Sequence, residues 1–269
     1  MSNTKRFKGE WAATPVSKII PGKKYFGNEF FDFCHRACHD DNLFKVFKKH
    51  PQFTTIVGSD VRGGHYAKSW LSTISNPRVQ QLMPLFASGD NVGSPNLHEV
   101  EEVGSIATGT IYHASILNDI IDKIGDISNF KAVEIGPGYG GQAKVLLDYG
   151  VQHYTLIDVK PANDLQKKYL TGLGYSNVDF WDNNNIKQGQ WDLVISNWCL
   201  SEFDKQGIGF YIKEIIQHCT YGYFLMNMWD EERKSFLLNE LKKHFTTVET
   251  YDEIIKTHAN KNWILVIKK

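Results

Sequence analysis

The residues between positions 131 and 142, KAVEIGPGYGGQ, have the types and spacing of a ligand-binding turn. A short apolar run precedes a glycine cluster, and a helix-like segment follows it. Gly136, Gly138 and Gly140 let the backbone turn sharply and approach a ligand without a Cβ in the way. Such a turn directs backbone N–H groups and the positive end of the next helix dipole toward an anionic group. The sequence therefore predicts a cofactor site here, with Tyr139 inside the turn.

Acidic and amide residues end the apolar runs on either side of this turn. Asp158 ends YTLID, where a carboxylate can accept hydrogen bonds from both hydroxyls of a ribose. Asp182 and Asn183 end the next run, where they suit an adenine amino group or form only a polar turn. Glu134 lies two positions before the first glycine, a place that favours a cationic amino group over a pyrophosphate. The glycines alone also fit a dinucleotide, so an adenosyl sulfonium donor and NAD both stay open.

Alternating strands and helices must position these residues. We predict strands at 131–135, 153–157, 177–181, 191–196 and 222–227, with helices at 142–149, 163–173, 208–218 and 231–244. The right-handed crossover rule turns this pattern into a parallel, Rossmann-like sheet with helices on both faces. Two last runs, 246–250 and 262–267, are predicted to pair as an antiparallel C-terminal hairpin. Ligands of such sheets bind at the carboxyl ends of the strands.

The part of the chain before the glycine cluster is predicted to be mostly helical. Helical spacing is present in 28–50, 65–74, 77–87 and 105–124, with a loop or a brief strand at 53–57 and a loop at 88–96. The loop is a candidate domain boundary or mobile lid. We therefore expect residues 1–100 to form an accessory region that helps build the acceptor pocket, and residues 101–269 to form the Rossmann-like cofactor-binding domain.

Composition and charge limit the classes of function. Thirty Lys plus Arg balance 30 Asp plus Glu, so the formal net charge is zero and we expect no nucleic-acid or membrane partner. No apolar run reaches the ~18 residues that span a bilayer. The start, MSNTKRFKGEW, lacks the apolar stretch of a signal peptide, so we expect a cytoplasmic protein. A homo-oligomer stays compatible with the sequence.

The cysteines are scattered, and we expect all four to be reduced. The run CHRACH, at 34–39, places Cys34 near Cys38 and His35 near His39 on successive helical turns, which superficially suggests zinc or haem. Haem attachment needs two residues between the cysteines, and here there are three. We interpret the run as a helix with small buried thiols and predict no metal there.

The motifs together resemble those of a known family. VEIGPGYGG resembles the first motif of the class I S-adenosylmethionine-dependent methyltransferases and LID the second, over residues 105–269. With WDLVISNWCLSEF and YGYFLMN, the chain resembles the sugar O-methyltransferases of bacterial surface-carbohydrate pathways, such as capsule and lipopolysaccharide synthesis. It departs from them at Pro137, where a third glycine is expected, and at the bulkier pair Trp198 and Cys199.

The resemblance implies S-adenosylmethionine as cofactor and S-adenosylhomocysteine as product. It also implies that a sugar hydroxyl is the acceptor, on a free or nucleotide-activated sugar. Asn197 and Trp198 are then expected to border the sulfonium and the acceptor. Two other functions stay open, an NAD-linked oxidoreductase and a catalytically silent module that binds an adenosyl group or a partner.

A base that removes the hydroxyl proton would assist methylation of an alcohol. Glu202 follows the fourth strand and is our favoured base, although it could instead brace the next helix. His113, in the long helix before the first strand, is the second candidate, or only a helix histidine with satisfied hydrogen bonds. A divalent metal could bind a sugar diol through Glu202 and Asp204, but two acidic residues do not make a site, so we predict no metal.

Overall fold

A seven-stranded sheet forms the centre of the protein in a computed structural model, which describes residues 28–57, 63–101, 103–227, 230–255 and 262–269. The strands are β3 (Lys131–Ile135), β4 (His153–Asp158), β5 (Val178–Asp182), β6 (Trp191–Asn197), β7 (Cys219–Met226), β8 (Thr247–Asp252) and β9 (Trp263–Lys268). Their order is β5-β4-β3-β6-β7-β9-β8. The first five of these in space are parallel, whereas β9 is antiparallel to both β7 and β8. The predicted Rossmann-like sheet, mostly parallel with an antiparallel C-terminal hairpin, is therefore confirmed.

Helices connect the parallel strands and cover both faces of the sheet, as the crossover rule predicts. In the second half they are α6 (Thr108–Ile124), α7 (Gly141–Tyr149), α8 (Lys160–Gly172), α9 (Lys205–Glu214) and α10 (Glu231–Leu241). Short 3₁₀ turns occupy Leu200–Glu202 and Ile216–His218. Buried strand residues divide into two apolar clusters, one on each face, because alternate side chains of a strand point to opposite faces.

The N-terminal region is helical, as predicted. It contains α1 (Asn28–His39), α2 (Asp41–Phe44), α3 (Pro51–Val57), α4 (Gly63–Leu71) and α5 (Pro77–Ala87), with 3₁₀ turns at Phe47–Lys49 and Ser88–Asn91. Its buried residues, such as Phe33, Phe53 and Met83, belong to the same apolar cluster as Leu146 and Leu170 of the sheet-covering helices. The division into residues 1–100 and 101–269 stays a prediction, and the two parts share a core.

Three local predictions for this region are wrong. Residues 53–57 form part of α3 and not a strand, because Pro51 starts a helix that buries Phe53 in the core. Residues 104–107 are not helical, since β1 (Leu97–Val100) and β2 (Gly104–Ala107) form an antiparallel hairpin before α6. Packing against distant parts of the chain determines the secondary structure of both segments. Each segment is too short for its periodicity to distinguish strand from helix.

The third wrong prediction is the mobile lid at 88–96. Gly89 and Asp90 are buried, and Asp90 Oδ1 lies 3.7 Å from Nζ of the buried Lys48. Asp90 also accepts hydrogen bonds from the Ala107 N–H (2.8 Å) and the Thr110 hydroxyl (2.7 Å). The segment therefore holds the start of α6 in place through Asp90, whereas its residues Asn91, Ser94 and Asn96 are exposed to solvent.

The CHRACH run lies on α1 with its two residue types on different sides. Cys34 is buried and Cys38 half-buried, whereas His35 and His39 are exposed. All four cysteines of the chain are free thiols, as expected. Within the described ranges, no group of three or more His, Cys, Asp or Glu side chains could hold a metal ion. The described helices also include none that is long and apolar enough to cross a membrane.

Candidate active site

The carboxyl ends of the central parallel strands meet at one edge of the sheet. Asp158 pairs with Asp182 across β4 and β5, and Asn197 pairs with Leu225 across β6 and β7. The Gly136 N–H donates to the Ile157 carbonyl of β4 at 3.0 Å, so the glycine-rich turn begins beside the end of that strand. The structure therefore brings the predicted residues of four strands to a single edge.

The glycine-rich turn has the backbone that only glycine adopts readily. Gly136, Gly138 and Gly140 have φ values of +70°, +61° and +92°. A Cβ at Gly136 would overlap the side chain of Cys199, which comes from the loop after β6. Glycine at 136 therefore also permits close packing of two loops, a role that the sequence did not reveal. Among the described residues, no side chain caps the N-terminus of α7, which starts after Gly140.

Tyr139 points away from the strand ends into the N-terminal region. Its ring is 4% exposed and lies 5.8 Å from the ring of Phe47 and 5.6 Å from that of Phe53, between centroids. Nζ of Lys48 lies 5.0 Å from the same centroid. The side chain therefore anchors the turn to the N-terminal helices, and any ligand contact of Tyr139 at this edge must come from its backbone.

Two of the three predicted carboxylates of the cofactor site, Glu134 and Asp158, are held by hydrogen bonds and have pKa values raised by burial. Glu134 accepts a hydrogen bond from the Tyr154 hydroxyl (2.9 Å), and burial raises the pKa of Glu134 to about 8. Asp158 accepts from the Val159 N–H (2.8 Å) and from Nε2 of Gln166 (3.1 Å). Burial raises the pKa of Asp158 to about 7, against the effect of these donors. A cation or hydroxyl donors nearby would favour ionisation of both groups.

Three amide oxygens near Asp158 are buried and have no hydrogen-bond partner in the part of the chain that the structure describes. They belong to Asn163, Gln166 and Asn183. Nδ2 of Asn163 and Nε2 of Gln166 donate to backbone carbonyls at 2.9 Å, so each oxygen is the acceptor left over. Unpaired buried acceptors are rare in folded proteins and suit a ligand rich in donors. Sequence reasoning missed Asn163 and Gln166, although their spacing of three on the helix after LID places them on one face.

Asn197, at the end of β6, has two buried polar atoms without a hydrogen-bond partner among the described residues, its amide oxygen and its amide nitrogen. The following residue, Trp198, has a left-handed backbone with φ of +72°. Its N–H donates to the Leu225 carbonyl (2.8 Å), and its indole N–H donates to the Tyr112 hydroxyl (3.0 Å). The end of β6 is therefore fixed in position while one amide side chain is left to bind something else.

His113 faces the glycine-rich turn from α6. Nδ1 lies 3.2 Å from Oε1 of Gln142, whose Nε2 donates to the His113 carbonyl (3.1 Å). Since Oε1 can only accept, Nδ1 carries the proton and Nε2 presents a lone pair. Nε2 has no partner within the described residues, and a Cβ at Gly141 would overlap it. Burial lowers the pKa of His113 to about 4, so the ring is neutral at physiological pH.

Glu202 lies at the rim of the site, in the 3₁₀ turn after β6. It is exposed over the side chain as a whole, yet the surrounding loop desolvates the carboxylate and raises the pKa of Glu202, an effect that Asn227 and Arg233 oppose. Nδ2 of Asn227 lies 3.5 Å from Oε1. Arg233 of α10 donates to the carbonyls of Ser201 (3.2 Å) and Phe203 (2.9 Å), and so fixes the loop on both sides of Glu202.

Two other predicted carboxylates have local structural partners. Oδ1 of Asp182 accepts from the Asn184 N–H (2.8 Å), which is the polar-turn alternative for that position. Oδ1 of Asp204 accepts from the Gly207 N–H (2.9 Å) and caps α9. Asn183 is buried, and its side chain forms a hydrogen bond with the Tyr211 hydroxyl.

Solved structures with a similar fold include methyltransferases. Magnesium protoporphyrin IX methyltransferase from Synechocystis PCC 6803, with bound SAM, is 14% identical at a TM-score of 0.47, over 59% of this chain and 79% of that one. An rRNA methylase from Streptococcus thermophilus is 12% identical at 0.44, over 60% and 95%. Mitomycin 7-O-methyltransferase is 18% identical at 0.43, over 59% and 56%. No family model matches the sequence, and a search of curated proteins gives no match. Nothing about this chain's ligand or substrate follows from similarities this low.

Proposed function

We propose that the protein is an S-adenosylmethionine-dependent O-methyltransferase that acts on a sugar hydroxyl. The observation that carries the proposal is the set of unpaired acceptors around Asp158, from Asn163, Gln166 and Asn183. An adenosine offers a ribose diol and an amino group to such a set. Glu134, two positions before the turn, suits the ammonium group of a methionine, and the uncapped start of α7 suits its carboxylate.

These residues fit the cofactor, and we assign their roles by position. Asp158 would hold the ribose hydroxyls, with Asn183 and Asp182 at the adenine, and Gly136, Gly138 and Gly140 would give the methionine part access to the backbone. Asn197 and Trp198 would border the sulfonium. His113 would act by supporting the glycine-rich turn, because its Nε2 and the Tyr139 hydroxyl both lie against Gly141.

When bound, S-adenosylmethionine supplies a methyl carbon that forms a bond to the acceptor oxygen while its bond to sulfur breaks, which leaves the electron pair on neutral S-adenosylhomocysteine. Glu202 would receive the hydroxyl proton, since it lies in the turn after β6 and its carboxylate is beside Asn227, which follows the end of β7. The partial burial that raises the pKa of Glu202 makes this carboxylate a better base than a fully solvated one. Holding the acceptor in line accounts for most of the remaining rate enhancement.

Ligand-dependent melting tests the cofactor assignment. We expect S-adenosylhomocysteine to raise the melting temperature and NADH to leave it unchanged, because only a ligand of the folded state stabilises by mass action. His113→Ala should weaken S-adenosylhomocysteine binding, whereas Glu202→Gln should keep it. Stabilisation by NADH alone would favour an oxidoreductase and contradict the proposal.

Turnover tests the base assignment separately. With a sugar that accepts labelled methyl groups, Glu202→Gln should lower kcat by roughly 100-fold with little change in cofactor affinity. Asp204→Asn, a nearby carboxylate that caps a helix, serves as the control. Equal rates for wild type and Glu202→Gln would show that another group removes the proton.

A further inference from the structure

Gln166 on α8 bridges two parts of the proposed cofactor site. Its Nε2 donates to the Gly138 carbonyl in the glycine-rich turn (2.9 Å) and to Oδ2 of Asp158 at the end of β4 (3.1 Å). Along the chain, a whole helix and a whole strand, α7 and β4, separate these two groups. One amide group therefore fixes the position of the Asp158 carboxylate relative to the turn.

The partners of Gln166 determine the orientation of its amide group. Both partners are oxygen atoms that accept hydrogen bonds, so the amide nitrogen must face them and Oε1 must point elsewhere. Oε1 is buried and has no hydrogen-bond partner within the described ranges. An apolar side chain of similar length would avoid an unpaired buried acceptor. Packing alone therefore does not explain glutamine at this position, whereas the bridge does.

Asn163, one helical turn earlier, makes a similar link to the next strand. Its Nδ2 donates to the carbonyls of Asp158 (3.1 Å) and Trp181 (2.9 Å), and so joins the ends of β4 and β5. Residues three positions apart lie on the same face of a helix. One face of α8 therefore holds the glycine-rich turn and two strand ends in a single arrangement. Of the two amides, only that of Gln166 reaches the Asp158 carboxylate.

The surroundings of the Asp158 carboxylate are acidic. Burial raises the pKa of Asp158 to about 7, and the charge of Asp182 acts in the same direction. The titratable side chains that interact with Asp158 come from five parts of the fold, and none of the five is a cation: Cys34 of α1, Glu134 of β3, Asp182 of β5, Cys199 after β6 and Tyr211 of α9. Within the described residues, the carboxylate accepts hydrogen bonds from the Val159 N–H and from Gln166. Gln166 is therefore the side chain that favours the ionised form.

We propose that Gln166 is a positioning residue of the cofactor site, which keeps the Asp158 carboxylate aligned with the glycine-rich turn so that it can accept the ribose hydroxyls. The inference rests on the proposed S-adenosylmethionine site. Gln166 is fully buried and acts through Asp158 and Gly138. Its loss should therefore raise the KM for S-adenosylmethionine and leave kcat nearly unchanged.

Carbon NMR of protein labelled at the aspartate carboxyl carbons tests the bridge without a ligand. Asp158→Asn identifies the Asp158 resonance, and glutamates such as Glu134 are not labelled. In Gln166→Met the ionised carboxylate loses a donor, so the midpoint of the Asp158 titration should rise by about one pH unit. Lys167→Met, the same change at the exposed next position, should leave the midpoint unchanged. An unchanged midpoint in Gln166→Met contradicts the inference.

Gln166→Glu provides a second variant, which keeps the shape of the side chain. It places another carboxyl group beside Asp158, and two like charges disfavour ionisation, so the Asp158 midpoint should again rise. Circular dichroism shows whether each variant is folded. If Gln166→Glu is folded and the Asp158 midpoint is unshifted, the two side chains are not in contact and the inference is wrong. Loss of folding in both variants would show that Gln166 holds the fold and would also overturn it.

The affinity for S-adenosylhomocysteine tests the consequence for the cofactor. At pH 7 about half of Asp158 is ionised in the wild type, against about a tenth after a rise of one unit, so Gln166→Met should bind roughly fivefold more weakly. At higher pH the difference should shrink, since Asp158 then ionises in both proteins. In an Asp158→Asn background the same change should have little effect, because residues that act through one another are not additive. An equal loss at every pH, or in that background, would show a packing role only.

Binding by the wild type separates the two levels of failure. If wild type binds S-adenosylhomocysteine and Gln166→Met has the same affinity at each pH, only the role of Gln166 fails. If wild type does not bind S-adenosylhomocysteine, the proposed function fails. The Asp158 titration in the ligand-free protein then still decides whether Gln166 holds the carboxylate.

Discussion

At the scale of single residues, we expect Asp158 to couple ligand binding to proton release. Because burial raises the pKa of Asp158 to about 7, this group is partly protonated near neutrality. A ribose diol donates hydrogen bonds and favours the ionised form. We therefore expect S-adenosylhomocysteine binding to release protons at about pH 7, and its affinity to rise from about pH 6 to about pH 8. Calorimetry in phosphate and Tris, which differ in ionisation enthalpy, measures the released protons.

The stability of the ligand-free protein should fall with rising pH, whereas the affinity for S-adenosylhomocysteine should rise. A carboxyl whose pKa is raised on folding holds its proton better in the folded state than in the unfolded chain. The contribution of Asp158 to stability therefore falls as the pH rises from about 4 to about 7. Asp158→Asn should remove the contribution of Asp158 to stability and reduce proton release on binding to the share of Glu134, whose pKa is raised to about 8. Asp179→Asn, a change in an exposed carboxylate of β5, should keep both effects. Identical binding enthalpies in the two buffers would contradict the coupling.

At the scale of elements, α10 positions the loop that carries Glu202. Arg233→Ala leaves the carbonyls of Ser201 and Phe203 without their donor, which should cost about 1–3 kcal/mol of unfolding free energy. Because the loop then loses its anchor, kcat should fall while S-adenosylhomocysteine affinity changes little. Urea titration, calorimetry and initial rates measure the three quantities. Lys242→Ala, at the exposed end of the same helix, is the control. Equal kcat values for Arg233→Ala and Lys242→Ala would show that Arg233 does not position the loop.

The regular elements could be predicted because their periodicity is long or strongly apolar. Residues 131–135 and 191–196 are buried strands, and their short apolar runs favour a strand over a helix. The hairpin of β1 and β2 could not be predicted, since four-residue strands with glycine and serine carry almost no pattern. The contact between Gly136 and Cys199 was also hidden, because it joins two loops more than 60 positions apart in the sequence.

At the scale of the whole molecule, a buried charge joins the N-terminal region to the sheet domain. Lys48 donates to the Gly89 carbonyl (2.8 Å), pairs with Asp90 and lies over the rings of Tyr139 and Tyr169. Lys48→Met leaves Asp90 as a buried charge without its cation. We expect a loss of about 3–5 kcal/mol in the free energy of unfolding, measured by urea denaturation.

The neighbouring residue provides the control for this prediction. Lys49 is exposed, so Lys49→Met should change stability by no more than about 0.5 kcal/mol. Because the two regions share a core, the loss should appear as one shifted transition. Two separate transitions, or equal stability of both variants, would show that Lys48 does not hold the regions together.

The site as a whole could be predicted only in part. The location that we propose for it follows from strand ends and glycines, which are local features of the sequence. The surroundings of His113 and the anchoring of Tyr139 depend on helices that pack from distant positions, and no pattern near either residue indicates that packing.

The left-handed backbone of Trp198 implies a compromise between folding and activity. A non-glycine residue with φ near +72° costs about 1–2 kcal/mol relative to an ordinary backbone. Glycine at this position would remove that cost, but it would also remove the indole that bridges to Tyr112. The protein is thus less stable than it would be with glycine at position 198. Such a deficit is typical of positions retained for what they touch, and any stabilised variant of this protein should leave residue 198 unchanged.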